Sequence, residues 1–319
     1  MRATFRDADA QEKSEDDSMD NSGSVRAVLY ALAANFGIFV AKSIAAVLTG
    51  STSMLAEAIH SLADCGNQAL LLRGMSEAKR APTTEHPLGH GGVVYFWAFL
   101  VAILLFTVGG VVSLYEGIHK IADPAILQRP AIAIVVLVVA IVLESLSLRG
   151  CVREIRAIYP VGSLWHFFRT SRNSELIVVL GEDIAALAGL TFALIAVLIT
   201  LATGNSLFDA CGSILVGALL ILVALLLGIE IKSMITGQSA APELEGQIRT
   251  FLAAQSEVGE IFHLITLQLG DQVMLAVKAR MREEEGALRL VEDINRVEAA
   301  LRGAFPQIRW LFFEPDVRP

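Results

Sequence analysis

The chain has 319 residues, 54% of them hydrophobic and only 18% charged, with a mean hydropathy of +0.59. Ordinary soluble domains rarely reach that value, so the membrane class is the first expectation. A formal charge of -8 with no Lys/Arg-rich run argues against a nucleic-acid partner. Cys65, Cys151 and Cys211 are far apart in or beside apolar runs, so neither a disulfide framework nor a CxxC zinc site is written here.

The N-terminal segment 1–24 is acidic and polar, without the apolar core of a secretory signal or the basic amphipathic pattern of a transit peptide. It reads as a disordered tail. Six apolar runs follow, near Val25–Leu48, Ser53–Leu72, Val93–Leu114, Ala131–Leu148, Leu176–Leu201 and Leu207–Ile231. Each is long enough for a hydrocarbon core, which takes about 20 helical residues. The polar turns "LTGSTS" and "ATGNS" predict two antiparallel helical hairpins. Arg26, then Arg73, Lys79 and Arg80, then Arg149, Arg153, Arg156, Arg169 and Arg172 collect on one side, and Lys120 and Arg129 on the other. Both termini are therefore expected in the cytosol, and a bacterial cell would hold the protein in its inner membrane.

After Ile231 the pattern turns soluble. Residues 236–319 carry a helical period, two alternating strands, an amphipathic helix and a closing strand, "IRWLFFEP". That order predicts a small α+β domain with helices on one face of a three-stranded sheet, small enough to favour dimerisation. The expected organisation is a 1–24 tail, a 25–235 six-helix membrane domain and a 236–319 cytosolic domain.

The second run, "SMLAEAIHSLADCGNQALLL", places Glu57, His60, Asp64 and Asn67 along one helical face. Ionisable groups in a bilayer are costly and mark ion or proton pathways; the alternative is hydrogen-bond glue between helices. The fifth run, "VVLGEDIAAL", adds Glu182 and Asp183 at a similar depth. One imidazole and two carboxylates there suit Zn²⁺, and admit Co²⁺, Cd²⁺, Mn²⁺ or Fe²⁺. Adjacent helical residues diverge by about 100°. Asp183 is therefore taken as the ligand beside His60 and Asp64, with Glu182 hydrogen-bonding, relaying protons or rotating in. Lys42 and Glu144 are further intramembrane charges that could pair with each other.

"HSLAD" in the second run, "HPLGHG" before the third, "LGEDIAAL" in the fifth and the α+β tail resemble the cation diffusion facilitators. "HSLADCGNQALLL", "YFWAF", "SLYEGI", "LESLSLRGCVREIR" and "FFEPD" look most like the branch that includes zinc transporter nine. The resemblance implies a proton-coupled divalent-metal exporter that works as a homodimer with a ferredoxin-like cytosolic domain and no cofactor beyond the transported ion. It also implies a second ligand pair on the fifth run. Aligning Asp183 with that pair puts Val179 where a His or Asp is usual, so water, Glu182 or Asn67 would have to complete the shell. Weaker correspondences fall on His86 and His90 in the loop, where Thr83 replaces an acidic ligand, and on His263 and Asp316 in the tail. Two other readings stay open: an intramembrane zinc hydrolase, for which no HExxH is present, and a metal sensor that does not move its ion.

Overall fold

The computed structural model describes residues 4–49, 52–122, 130–160, 162–282 and 286–319. Helix α1 runs over Thr4–Thr49, so the acidic segment read as a disordered tail is helical from Thr4 on. It contains neither Pro nor Gly before Gly23, so no strong helix breaker interrupts it. The first expected turn includes Gly50 and Ser51, which lie outside the described residues.

Helix α2 spans Thr52–Ala78 and packs beside α1 and α3. The third membrane stretch is one continuous rod in three pieces: α3 Val93–Leu104, a π-helical stretch Leu105–Val111, and α4 Val112–Ala122. Helix α5 covers Pro130–Ile158, a short α6 covers Leu164–Thr170, and α7 and α8 cover Ser174–Thr203 and Leu207–Ile235. Asn173 caps α7 by accepting from the Leu176 N–H at 3.0 Å. Gly204, at φ 71°, closes it in the left-handed conformation that glycine adopts without strain.

Among the described residues five helical stretches are long and apolar enough to cross a membrane: Gly23–Leu48, Val93–Ala122, Pro130–Ile158, Ser174–Thr203 and Leu207–Ile235. α2 is not one of the five, because its polar stripe lowers its hydropathy. Val135, Val142, Leu215, Leu222 and Ile229 stand exposed on the outer faces. Aliphatic surface this extensive belongs against lipid rather than water. α4 and α8 approach through glycine: a Cβ on Gly217 would stand 2.6 Å from the Leu114 nitrogen. Small residues let membrane helices pack backbone to backbone in this way.

The main buried cluster lies at the end of the bundle where α2 finishes and α7 begins, with Leu71, Val94, Ile155, Phe167, Ile177 and Leu227 among its members. Against that end sits the C-terminal domain: α9 Pro242–Ala253, β1 Val258–Leu269, β2 Gln272–Met281, α10 Ala287–Ala304 and β3 Ile308–Pro315. This is the expected α-β-β-α-β order. β1 and β2 form an antiparallel hairpin and β2 and β3 pair in parallel, giving a mixed sheet in the order β1-β2-β3. Leu275, Val277 and Ala279 on one face of β2 bury against Ile248 and Leu252 of α9 and Val297 and Leu301 of α10. The period of two thus selects the face that the helices cover.

The two parts touch at defined points. The Gly270 N–H in the β1–β2 turn donates to the Tyr95 hydroxyl of α3 at 2.9 Å. Arg172, just before α7, donates through Nε to the Ser239 carbonyl at 2.8 Å.

Candidate functional site

On α2 the stripe carries His60, Asp64 and the adjacent Asn67 and Gln68, each group one turn from the next. Glu182 of α7 meets its far end. Asn67 Nδ2 donates to Glu182 Oε1 at 3.0 Å and Gln68 Nε2 to Oε2 at 2.8 Å. Asn35 of α1 donates in turn to Gln68 Oε1 at 3.4 Å. All four side chains are buried, so α1, α2 and α7 are joined by polar groups that have no water to fall back on. Asp64 lies about 5 Å up the helix from this level, one turn away, and acts electrostatically on Glu182.

Asp183 points elsewhere. Ser147 Oγ of α5 donates to Asp183 Oδ2 at 2.9 Å, and Glu144 of α5 is a second hydrogen-bond neighbour. The sequence reading took Asp183 as the ligand facing α2 and gave Glu182 a hydrogen-bonding, proton-relay or rotating-in role; in the structure Glu182 hydrogen-bonds to α2 and Asp183 turns to α5. The 100° between them was legible, but the rotation of α7 was not. α7 is buried almost all round from Leu176 to Asp183, so no apolar stripe marks its inward side. Val179, where a further ligand was sought, is fully buried inside the apolar cluster.

His60 and Asp64 are half-buried. The His60 ring reaches to 4.0 Å from where a Cβ on Gly109 would stand, so it lies against the π-helical stretch. π-turns inside helices recur at functional positions. Among the described residues no three His, Cys, Asp or Glu side chains are gathered into a metal-holding group. The side chain of Glu57 lies outside the described residues. Lys42 and Glu144 are both buried, and Lys42 acts electrostatically on Glu144.

Sequence reasoning missed Gln68, Asn35 and Ser147. A signal existed for the first two: Gln68 adjoins Asn67 in "GNQ", and Asn35 interrupts an apolar run. Ser147 gave none, since serine is common in membrane helices.

The weaker candidates fall in two other places. The His86 and His90 rings lie against each other, tilted by 33° with centroids 4.6 Å apart, and Thr83 Oγ1 accepts from the His86 N–H at 3.1 Å. In the C-terminal domain Lys278 of β2 stands opposite His263 of β1 and forms an ion pair with Asp316 at 2.8 Å. The Lys278 ammonium holds the Asp316 carboxyl below its usual range, helped by the Val317 and Arg318 N–H groups. A lysine between His263 and Asp316 favours a structural role for both.

Residues 28–235 match the family model described as the cation efflux transmembrane domain. The chain belongs to the cation efflux family. Its resemblance to the cation diffusion facilitators is therefore borne out. This cation efflux chain is 32% identical over 255 residues, 79% of its length, to the proton-coupled zinc antiporter SLC30A9, mitochondrial, of Xenopus laevis, covering 46% of that protein. It is 28% identical over 246 residues, 76% of its length, to metal tolerance protein C4 of Arabidopsis thaliana, covering 54% of it. With zinc transporter ZitB of Pectobacterium atrosepticum the identity is 25% over 280 residues, 86% of this chain and 82% of that one. The chain spans about half the length of the first two relatives, at 46% and 54%.

Proposed function

We propose that this chain exchanges a divalent cation, Zn²⁺, for protons across a membrane. The observation that carries the reading is the meeting of the His60–Asp64–Asn67–Gln68 stripe of α2 with the Glu182 carboxylate of α7, inside a bundle whose outer faces are aliphatic. Ionisable groups are retained at such depth where they serve an ion path. Membership of a transport family, and relatives named as zinc antiporter and zinc transporter, support a carrier over a hydrolase or a sensor.

The proposed ligands are His60, Asp64 and a carboxylate of α7. The geometry favours Glu182 for that role. Its two oxygens accept from Asn67 and Gln68; a bound cation would take the carboxylate over and free the amides. Asp183, held by Ser147, would enter only if α7 rotates. Imidazole and carboxylate oxygen together suit tetrahedral Zn²⁺. Histidine binds metal only as neutral imidazole, so cation entry expels any proton His60 carries, and cation release lets one return. Exposure of the site to one side at a time turns that exchange into antiport.

In this reading α2, about 40 Å long for its 27 residues, is a sixth span whose polar stripe faces the bundle. Both termini then share the arginine-rich, cytosolic side. The C-terminal domain is ferredoxin-like and pairs with a second copy in a homodimer. The test is uptake into proteoliposomes containing the purified chain, comparing Zn²⁺, Mn²⁺, Fe²⁺ and Co²⁺ under an imposed pH gradient. Zn²⁺ accumulation driven by the gradient alone is expected. Flux indifferent to the gradient and to a protonophore would leave a channel or uniporter instead.

A further inference from the structure

The exposed side of α5 forms a single stripe. Val138, Val142, Leu146, Arg149, Arg153 and Arg156 are all exposed and recur in steps of three or four, so they share one face. The stripe changes from aliphatic to guanidinium between Leu146 and Arg149, within about 4.5 Å, and the arginines then extend over about 10 Å. A bilayer about 40–45 Å thick with a hydrocarbon core of about 30 Å leaves about 5–7 Å of headgroup on each side. With Leu146 at the hydrocarbon edge, the backbone of Arg149 lies in the headgroup layer, whereas Arg153 and Arg156 start about 10 and 15 Å out and approach it through long side chains that lean back towards the helix N-terminus.

Arg169 pairs with Glu230 and Arg172 holds the Ser239 carbonyl. Among the described residues, Arg149, Arg153 and Arg156 have no ion pair. Glu154, between them in sequence, is buried on another side of α5, with Oε2 3.2 Å from where a Cβ on Gly23 of α1 would stand. Like charges one turn apart repel, so the stripe calls for anions from outside.

The next element fits the same depth. Trp165 of α6 is 62% exposed and stacks on Phe168 with ring centroids 5.6 Å apart. An exposed tryptophan beside the end of a membrane helix is typical of the lipid–water interface. Between α5 and α6 lies a small cleft, to which Arg156, Tyr159, Ser163 and His166 contribute polar groups.

We propose that this face is a binding site for an anionic phospholipid. The phosphodiester sits on Arg149, Arg153 and Arg156, whose planar forks match phosphate oxygens. The acyl chains lie along Val138, Val142 and Leu146. The lipid is chosen over a soluble anion because the aliphatic and cationic halves of the stripe are continuous. The site is independent of which ion the protein carries.

The test uses the full chain, purified in detergent, with an equimolar mixture of phosphatidylglycerol and phosphatidylcholine, reading by native mass spectrometry the ratio of the two lipids retained. Phosphatidylglycerol should be favoured. Each of Arg149→Gln, Arg153→Gln and Arg156→Gln should lower that ratio about 5-fold, the effect of about 1 kcal/mol per basic residue near an anionic surface. The combined Arg→Lys variant, which keeps the charges that direct insertion but loses the planar forks, should show a preference between those of the unaltered chain and the Gln variants. The control Arg249→Gln/Arg302→Gln/Arg309→Gln, on the C-terminal domain, should leave it unchanged. Equal retention of both lipids by the unaltered chain would overturn the proposal, as would an equal loss in the control. Displacement of the lipid by excess glycerol 3-phosphate would show a site for soluble phosphate. A changed oligomeric state with lipid retention unaltered would show a protein interface, and either result also overturns it.

Discussion

Asn67 Nδ2 donates to Glu182 Oε1 across 3.0 Å, joining residues 115 apart in the chain. With Gln68 on the other oxygen at 2.8 Å, the carboxylate is held at the α2 stripe by amides that a cation can replace. Glu182→Gln should therefore weaken Zn²⁺ binding by more than the about 10- to 100-fold typical of losing a supporting hydrogen bond. Asp183→Asn, on the α5 side, should cost less. Calorimetric titration of both variants decides between them; the opposite ranking would return the ligand role to Asp183.

The same network contributes to stability. Gln68→Leu removes the donor to Glu182 Oε2 and the acceptor for Asn35, leaving buried polar atoms unsatisfied. Such a loss costs about 1–3 kcal/mol. The expected result is a lower midpoint of thermal unfolding in detergent, with a larger deficit than Asn35→Ala, which removes only the 3.4 Å bond.

The parts of the fold that rest on periodicity were legible. The alternation in β2 and the 3.6 period of α10 placed the C-terminal elements to within a few residues, because one face of each is buried and the other is not. Helix α6 was missed, since seven residues between two arginine-bearing segments show no stripe. At the site, the residue types were readable from "HSLADCGNQ" and "LGED". Their pairing was not, because it depends on the rotation of α7, which is buried on every side where it carries its carboxylates.

Val179 tests that limit directly. By sequence a histidine there would complete a four-ligand site. In the structure Val179 is fully buried among apolar side chains, where an imidazole has neither room nor a partner. Val179→His should destabilise the protein by at least about 1–3 kcal/mol and leave Zn²⁺ affinity no tighter. Tighter binding with an unchanged melting midpoint would contradict this packing.

The Lys278–Asp316 pair gives a pH prediction outside the membrane. Its carboxyl is held below the ordinary range by Lys278 and by two backbone N–H groups. A depressed folded-state pKa stabilises above the unfolded value and loses that contribution as pH falls through the folded one. Protection of the Val317 and Arg318 amides from hydrogen exchange should therefore fall in the acid range. Asp316→Asn should abolish that pH dependence while leaving the β3 ladder protected.

The close approach of α4 and α8 gives a paired test of packing. Gly217 faces the backbone of the neighbouring rod: an added Cβ would stand 2.6 Å from the Leu114 nitrogen and 2.9 Å from the Gly110 carbonyl oxygen. Backbone cannot rotate away as a side chain can, so Gly217→Ala must push the helices apart, at about 1–3 kcal/mol. Gly228, eleven residues along the same helix, has nothing within 4 Å of its added Cβ. There the substitution removes only glycine's helix penalty, and a gain of about 0.5–1 kcal/mol is expected. The two alanine variants should shift the thermal midpoint in opposite directions. Because Gly110 borders Gly109, against which His60 lies, Gly217→Ala should also slow cation uptake in proteoliposomes, whereas Gly228→Ala should not. Equal behaviour of the two variants would mean that the α4–α8 contact is looser than the structure has it.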